Sequence, residues 1–288
     1  MKAIYPSIGL ERLCRLFGKT RQAFYDHTWR YSDDQLQDAL MIDLVAHIRK
    51  SLPKAGGLKL MHLLKDDFKA HNISVGRDSF FALLRKHDLL VRRRKRYAVT
   101  TNSNHPYKKW QDLVKDVPVK AAEQLWVSDI TYLRTESGFL HLSLITDAWS
   151  RKIVGYHVSQ HLKAQGCLIA LEKALASLRQ SKEQRTLIHH SDRGIQYCCE
   201  PYVSMLQQNN ILISMTQSGS PYDNAMAERV NGILKTELNL GNTFAGYSAA
   251  VPIVHKAIDA YNRLRPHMSL GYLTPDQAHY STQNPFKK

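Results

Sequence analysis

"EQLWVSDITYLR", residues 123–134, alternates with period two. Leu125, Val127, Asp129, Thr131 and Leu133 fall on one face of an extended chain, and Trp126, Ser128, Ile130 and Tyr132 on the other. A turn at "TESG" leads to "FLHLSLITDAWS" (139–150), and "KIVGYHVS" (152–159) follows Ser150–Arg151. The three segments read as an antiparallel meander.

Beyond the meander the period changes. Leu168, Leu171, Leu175 and Leu178 predict a helix over 164–180. "TLIHH" (186–190) predicts a short strand, 200–209 a helix and "ILISM" (211–215) a fifth strand. "SPYDNAMAERVNGILKTEL" (220–238) starts as a loop and becomes a last helix. Three meander strands, then helix, strand, helix, strand, helix, is the element order of an α/β RNase H-like core, a mixed five-stranded sheet flanked by helices.

Three acids stand out in that frame. Asp129 shares its strand face with Leu125, Val127 and Leu133, where a carboxylate is costly unless it is hydrogen-bonded or bound to a cation. Asp192 lies just past the fourth strand, where open α/β sheets place their sites but where Asp-Arg-Gly turns also occur. At 100° per residue, Glu228, Asn231, Gly232 and Lys235 share one polar arc of the last helix, opposite Met226, Val230, Ile233 and Leu234. Asp223 and Asn224 are placed to cap that helix, and Glu237 sits on the other side near its end. Sixty-two residues separate Asp129 from Asp192, and 35 separate Asp192 from Glu228. Three hard oxygen ligands on rigid elements suit Mg²⁺ or Mn²⁺. A pair of such ions about 4 Å apart can activate a water or a 3′-hydroxyl for in-line phosphoryl displacement.

Charge divides the 288 residues. Residues 1–120 carry 24 Lys+Arg against 12 Asp+Glu, and residues 121–288 carry 16 against 13, so nearly all of the +15 net charge lies in the first part. A polyanion-binding module joined to a near-neutral unit is expected. Cys14 and Cys167 are isolated and Cys198–Cys199 adjacent, which excludes a Cys-based zinc finger. With no apolar run of membrane length and no signal-peptide core, a cytoplasmic, non-membrane protein is expected.

Within the basic part, Leu10, Leu13, Leu16 and Phe17 predict a helix, Gly18 a break, and Thr20 the cap of a short second helix carrying Phe24 and Tyr25 inward. Arg21 and Gln22 would occupy its exposed first turn, where a recognition helix meets DNA. A plain αα-hairpin with a solvated outer face fits this stretch equally well. A second unit has Leu60, Leu63, Leu64 and Phe68 on one face of 58–71, a turn at "NISVG" (72–76), and a helix over 77–90 with Phe80, Leu83 and Leu84 inward. Its outer face offers Arg77, Ser79, Arg85 and Lys86, and Arg92, Arg93, Arg94, Lys95 and Arg96 follow. Next to helices of the same sign, those five cations read as a phosphate or minor-groove contact rather than a solvated linker. The expected division is a helix-turn-helix over 1–32, a second with its basic tail over 33–97, a linker over 98–122, the catalytic core over 123–242 and a C-terminal helix and tail over 243–288.

"WVSDITYL", "HHSDRGIQY" and "SPYDNAMAERVNGILKTEL", at the D…D-x35-E spacing, resemble the DDE transposases and integrases. With "YNRLRPHMSLGYLTPDQA" (261–278), the chain resembles the orfB products of IS-three-type, retroviral-integrase-like insertion sequences over roughly residues 36–280. The resemblance implies that Asp129, Asp192 and Glu228 bind two Mg²⁺ (or Mn²⁺) ions for 3′-end cleavage and strand transfer. It implies that Lys235 holds DNA near the scissile phosphate and that Tyr222 to Asn224 form the mobile edge of the site. The implied partners are terminal inverted repeats, target DNA, further copies on paired DNA ends, and an upstream orfA product joined by frameshift fusion. The implied location is the bacterial cytoplasm, at the nucleoid. Two other readings compete: an RNase H-like nuclease that never joins, and a decayed or domesticated protein that only binds DNA.

Overall fold

The computed structural model describes residues 7–91, 106–115, 118–178, 186–217 and 225–281, with 30–32 described for backbone alone. The chain forms two compact units, Met1–Lys50 with Gly56–Leu90, and Ser51–Ala55 with Val91–Lys288.

The first unit is all helical. Helices α1 (Leu10–Leu16) and α2 (Arg21–Ser51) are separated by Gly18, whose φ of 61° is the left-handed conformation that glycine tolerates best. Thr20 Oγ1 accepts from Ala23 N (3.0 Å), the cap expected from the sequence. The helix it starts is not short. No Gly or Pro interrupts residues 21–51, so propagation continues for 31 residues and runs through the division expected after residue 32. Phe24 and Tyr25 do not point inward either, being 41% and 38% exposed. Among the described side chains of α2, the buried ones are Met41 and Val45, in its C-terminal half.

The segment expected as one helix over 58–71 is bent at Leu64 (φ −90°, ψ 5°) into α3 (Gly57–Leu63) and α4 (Lys65–Ala70). Asn72, at φ 55°, turns the chain into α5 (Arg77–Lys86). Leu60, Leu64, Phe68, Phe80, Leu83 and Leu84 are buried, with Phe68 and Phe80 edge-to-face at 5.9 Å.

The second unit is built on a five-stranded mixed sheet ordered β3-β2-β1-β4-β5. Strands β1 (Leu125–Thr135), β2 (Gly138–Asp147) and β3 (Ile153–Ser159) form the antiparallel meander, and the hairpin closes at Gly138, whose φ of 134° an L side chain rarely adopts. After α6 (Ala164–Ser177), β4 (Ile188–Ser191) pairs parallel to β1. One turn of helix α7 (Ile195–Cys198), not foreseen in the sequence, precedes α8 (Glu200–Gln208), and β5 (Leu212–Met215) then pairs parallel to β4. Helices α9 (Ala225–Glu237), α10 (Tyr247–Arg263) and α11 (Pro275–Tyr280) follow.

The alternation of β1 sets the two layers. Trp126, Leu171, Tyr202, Leu206 and Met215 form one core beneath α6 and α8, while Leu125 and Val127 pack with Ala148 and Ala227 on the other side. Asp129 takes the second face by parity. Helix α6 lies directly on β3: a Cβ on Gly155 would fall 2.1 Å from Ala170 O. Residues expected as linker also join this unit, since Trp110 packs against the larger core and Leu113 N donates to Ser214 Oγ (2.8 Å). A buried cluster ties α11 down. Ser150 Oγ donates to Asp147 Oδ1 (2.7 Å) and meets His279 Nδ1 (2.9 Å), whose Nε2 lies 3.7 Å from Glu123 Oε1.

Candidate active site

Asp129 sits midway along β1, opposite Leu144 of β2. Its side chain is half-buried, Oδ1 accepting from Ile130 N (2.9 Å) and Oδ2 from Asn231 Nδ2 of α9 (2.6 Å). These two donors favour the carboxylate, yet burial first and the charge of Asp192 second push its pKa up to about 7, with Glu228 adding a smaller push the same way. The two hydrogen bonds therefore do not offset the desolvation of the carboxylate.

Asp192 stands one residue beyond β4, the strand that pairs directly with β1. Its Oδ1 accepts from Gly194 N (3.0 Å), so the Asp-Arg-Gly turn exists and holds the carboxylate beside Asp129. Glu228 is exposed on the first turn of α9, where the helix dipole favours an acid. Lys235, two turns on, is partly buried; desolvation lowers its pKa and Asp129 opposes that shift.

The donors are hard oxygens. They are the carboxylates of two aspartates whose charges raise each other's energy, and beside them the Oδ1 of Asn231 is a buried amide oxygen with no hydrogen-bond partner among the described residues. This set fits a divalent cation of the Mg²⁺ or Mn²⁺ type. Among the described residues no three His, Cys, Asp or Glu side chains are gathered closely enough to hold an ion. Glu228 acts on Asp129 electrostatically from the edge of the site. Neighbouring His189 is no candidate base: its Nε2 meets Ser128 Oγ (2.6 Å) and Tyr202 OH (2.9 Å) on the opposite face of the sheet, and burial depresses its pKa to about 3.

Asn231 is the residue whose part was not legible beforehand. Its place on the polar arc three residues after Glu228 was visible in the sequence, but its partner was not. Glu237, an ordinary helix-end acid in the sequence, forms a bidentate pair with buried Arg265, Nε to Oε2 at 2.9 Å and Nη2 to Oε1 at 2.8 Å.

Tyr222, Asp223 and Asn224 lie outside the described residues, as do Arg92, Arg93, Arg94, Lys95 and Arg96. Arg21 and Gln22 are exposed at the start of α2, Gln22 Nε2 donating to Asp26 Oδ1 (2.8 Å). Arg77, Ser79, Arg85 and Lys86 are exposed on α5. Arg77 contacts Asp78 (2.9 Å) and Lys86 lies 3.6 Å from Asp38, and Arg77 and Arg85 line a surface hollow with Leu58 and Phe81.

Two models of the integrase core domain match the chain, over residues 119–221 and 209–275. The transposase InsF of insertion sequence IS3A from Escherichia coli (strain K12) is 30% identical over 276 residues, covering 93% of each chain. The chain belongs to the InsF family of insertion-sequence transposases. A 31 kDa protein of insertion element IS600 from Shigella sonnei is 31% identical over 268 residues, covering 91% of this transposase and 96% of that protein. As a member of the transposase/integrase class, it is a polynucleotidyl transferase. Its solved structural neighbours include the catalytic core domain of HTLV-2 integrase in complex with magnesium (18% identity, TM-score 0.45, 56% of this chain and 98% of that one). The simian T-cell lymphotropic virus intasome in complex with PP2A regulatory subunit B56 gamma is another (18%, TM-score 0.48, 80% and 72%). No helix among the described residues is long and apolar enough to cross a membrane.

Proposed function

We propose that this transposase binds the terminal inverted repeats of an insertion sequence, cuts the 3′ ends of the element and joins them to target DNA. The observation that carries this reading is the half-buried Asp129 on the central strand, its charge opposed by Asp192 just past the end of the adjoining one. Two carboxylates forced together in a poorly solvated place call for a bound cation. Asp129, Asp192 and Glu228 are the residues that would hold two Mg²⁺ or Mn²⁺ ions. Bound there, the ions would supply Lewis acidity, lowering the pKa of water or a 3′-hydroxyl and neutralising charge on the leaving oxygen.

The chain's own residues do the remaining work. Asp129 sits on β1 and Asp192 in the turn directly after β4, the strand paired with β1, so the sheet and that short turn together set their separation. Glu228 approaches from α9, and Lys235 on the same arc offers a cation to the DNA phosphates, assisted by Tyr222 and Asn224. Cleavage breaks a phosphodiester with water and leaves a 3′-hydroxyl; joining breaks a target phosphodiester with that hydroxyl, conserving the number of bonds. The helical unit supplies helix-turn-helix readers, with Arg21, Gln22, Arg77, Ser79, Arg85 and Lys86 facing DNA and Arg92–Arg96 its phosphates. Action as a multimer on paired ends, fused to an upstream orfA product, in the cytoplasm at the nucleoid, completes the reading.

The test uses the purified full chain, Mg²⁺ and DNA carrying the element's own ends. Nicked ends and joined product are expected from the native chain, and neither from Glu228→Gln. Cutting without any joined product would identify a nuclease, binding without cutting a decayed enzyme, and joining by Glu228→Gln would remove Glu228 from the site.

A further inference from the structure

We propose that Asn231 is a positioning residue that sets the orientation of Asp129 and seats the helix carrying Glu228 against the central strand. The inference rests on Asp129 being a metal ligand, as proposed above.

Asp129 and Asn231 are 102 residues apart in sequence, yet Nδ2 and Oδ2 meet at 2.6 Å. Asn231 is buried, at 7% exposure, although its neighbours on the same arc of the helix, Glu228 and Gly232, are exposed. A buried amide needs a partner, and this one is spent on a single carboxylate oxygen. The other oxygen is taken by Ile130 N (2.9 Å). One donor on each oxygen fixes both the rotation and the tilt of the carboxylate, while each oxygen keeps a second in-plane lone pair for a cation. Ile130 N alone would leave the group free to turn about the Cβ–Cγ bond.

The same contact acts on α9. Glu228 precedes Asn231 by three residues, about 4.5 Å along the helix axis and on the same arc. Fastening Asn231 to β1 therefore limits how far Glu228 can swing from Asp129. The remaining amide atom, Oδ1, is buried without a hydrogen-bond partner among the described residues, so the side chain is not satisfied by packing of α9 itself. An acceptor left bare beside a carboxylate can take a hydrogen bond from a water coordinated to the ion.

The experiment measures binding of Mn²⁺ alone to the full chain, following free Mn²⁺ by electron paramagnetic resonance, without DNA. Asn231→Ala and Asn231→Ser are each expected to weaken Mn²⁺ binding about tenfold, the usual effect of losing a residue that orients a ligand. Backbone hydrogen exchange is expected to rise across α9 in both variants while the larger core, beneath α6 and α8, keeps its protection. Asp129→Asn separates the two ideas. Loss of Mn²⁺ binding in Asp129→Asn with native binding in both Asn231 variants overturns the positioning role alone. Native binding in Asp129→Asn overturns the ligand reading and this inference with it. Ser is included because its small polar side chain keeps the site wet if Ala collapses locally; loss of core protection in both variants would mean that Asn231 is structural, and would also overturn the inference.

Discussion

Replacing Asp129 by Asn is expected to make the metal-free protein more stable, and more so as pH rises. The carboxyl has its ordinary pKa of 3.8 when unfolded and about 7 in the fold. Between those values the folded state binds the extra proton, so stability falls as pH rises from about 4 towards 7 and stays low above that. At 1.36 kcal/mol for each pKa unit, the full cost of the ionised group is at most about 4 kcal/mol, and solvent reaching a half-buried site leaves roughly 2 kcal/mol. Asparagine is uncharged and nearly isosteric. It also keeps its hydrogen bonds, because its Oδ1 still accepts from Ile130 N and the Asn231 amide can turn its unpartnered Oδ1 towards the new NH₂. The assay is thermal unfolding in EDTA at pH 5, 6, 7 and 8, read by tryptophan fluorescence. At about 2–4 °C per kcal/mol, the variant gains about 4–8 °C at pH 8 and much less at pH 5. Adding Mg²⁺ reverses the order, raising the native Tm and leaving the variant unchanged. Parallel curves for the two proteins from pH 5 to 8 would show that Asp129 bears no desolvation cost, and the argument for a cation at that point would fall.

Two further outcomes test the frame that holds the site. Gly155→Val drives a side chain into Ala170 O, 2.1 Å from the ideal Cβ, so α6 must lift from β3. A loss of at least about 3 kcal/mol is expected, seen as insoluble protein or a denaturant midpoint far below native, and a native midpoint would mean that the helix lies elsewhere. Glu237→Ala leaves the guanidinium of Arg265 buried without its bidentate partner, at a cost of about 3–5 kcal/mol, whereas Glu237→Ala combined with Arg265→Met recovers most of it. Urea unfolding of the two variants decides this, and equal losses in both would show that the pair contributes through packing alone.

Local periodicity by itself determined a good deal here. The period-two run at 123–134 decided that Asp129 faces away from Trp126, because adjacent side chains on a strand must point to opposite sides. The 100° step of a helix decided that Glu228, Asn231 and Lys235 share an arc, and the changes of period decided the order of strands and helices in the second unit. Turn and cap chemistry was readable too, as Thr20 and Gly18 show. The exposure of Phe24 and Tyr25 was not, because an amphipathic pattern states which side of a helix could be covered but not whether anything covers it. Tertiary structure alone decided that Asp129 meets Asn231 and that Glu237 meets Arg265, and how strongly Asp192 acts on Asp129. Those meetings depend on the rotation and axial offset with which elements far apart in the chain are packed together, and no local repeat encodes either quantity. An ordinary-looking aspartate thereby becomes a strained one. Its strand placed it on the right face, and only the neighbours brought in by packing raised the cost of its charge.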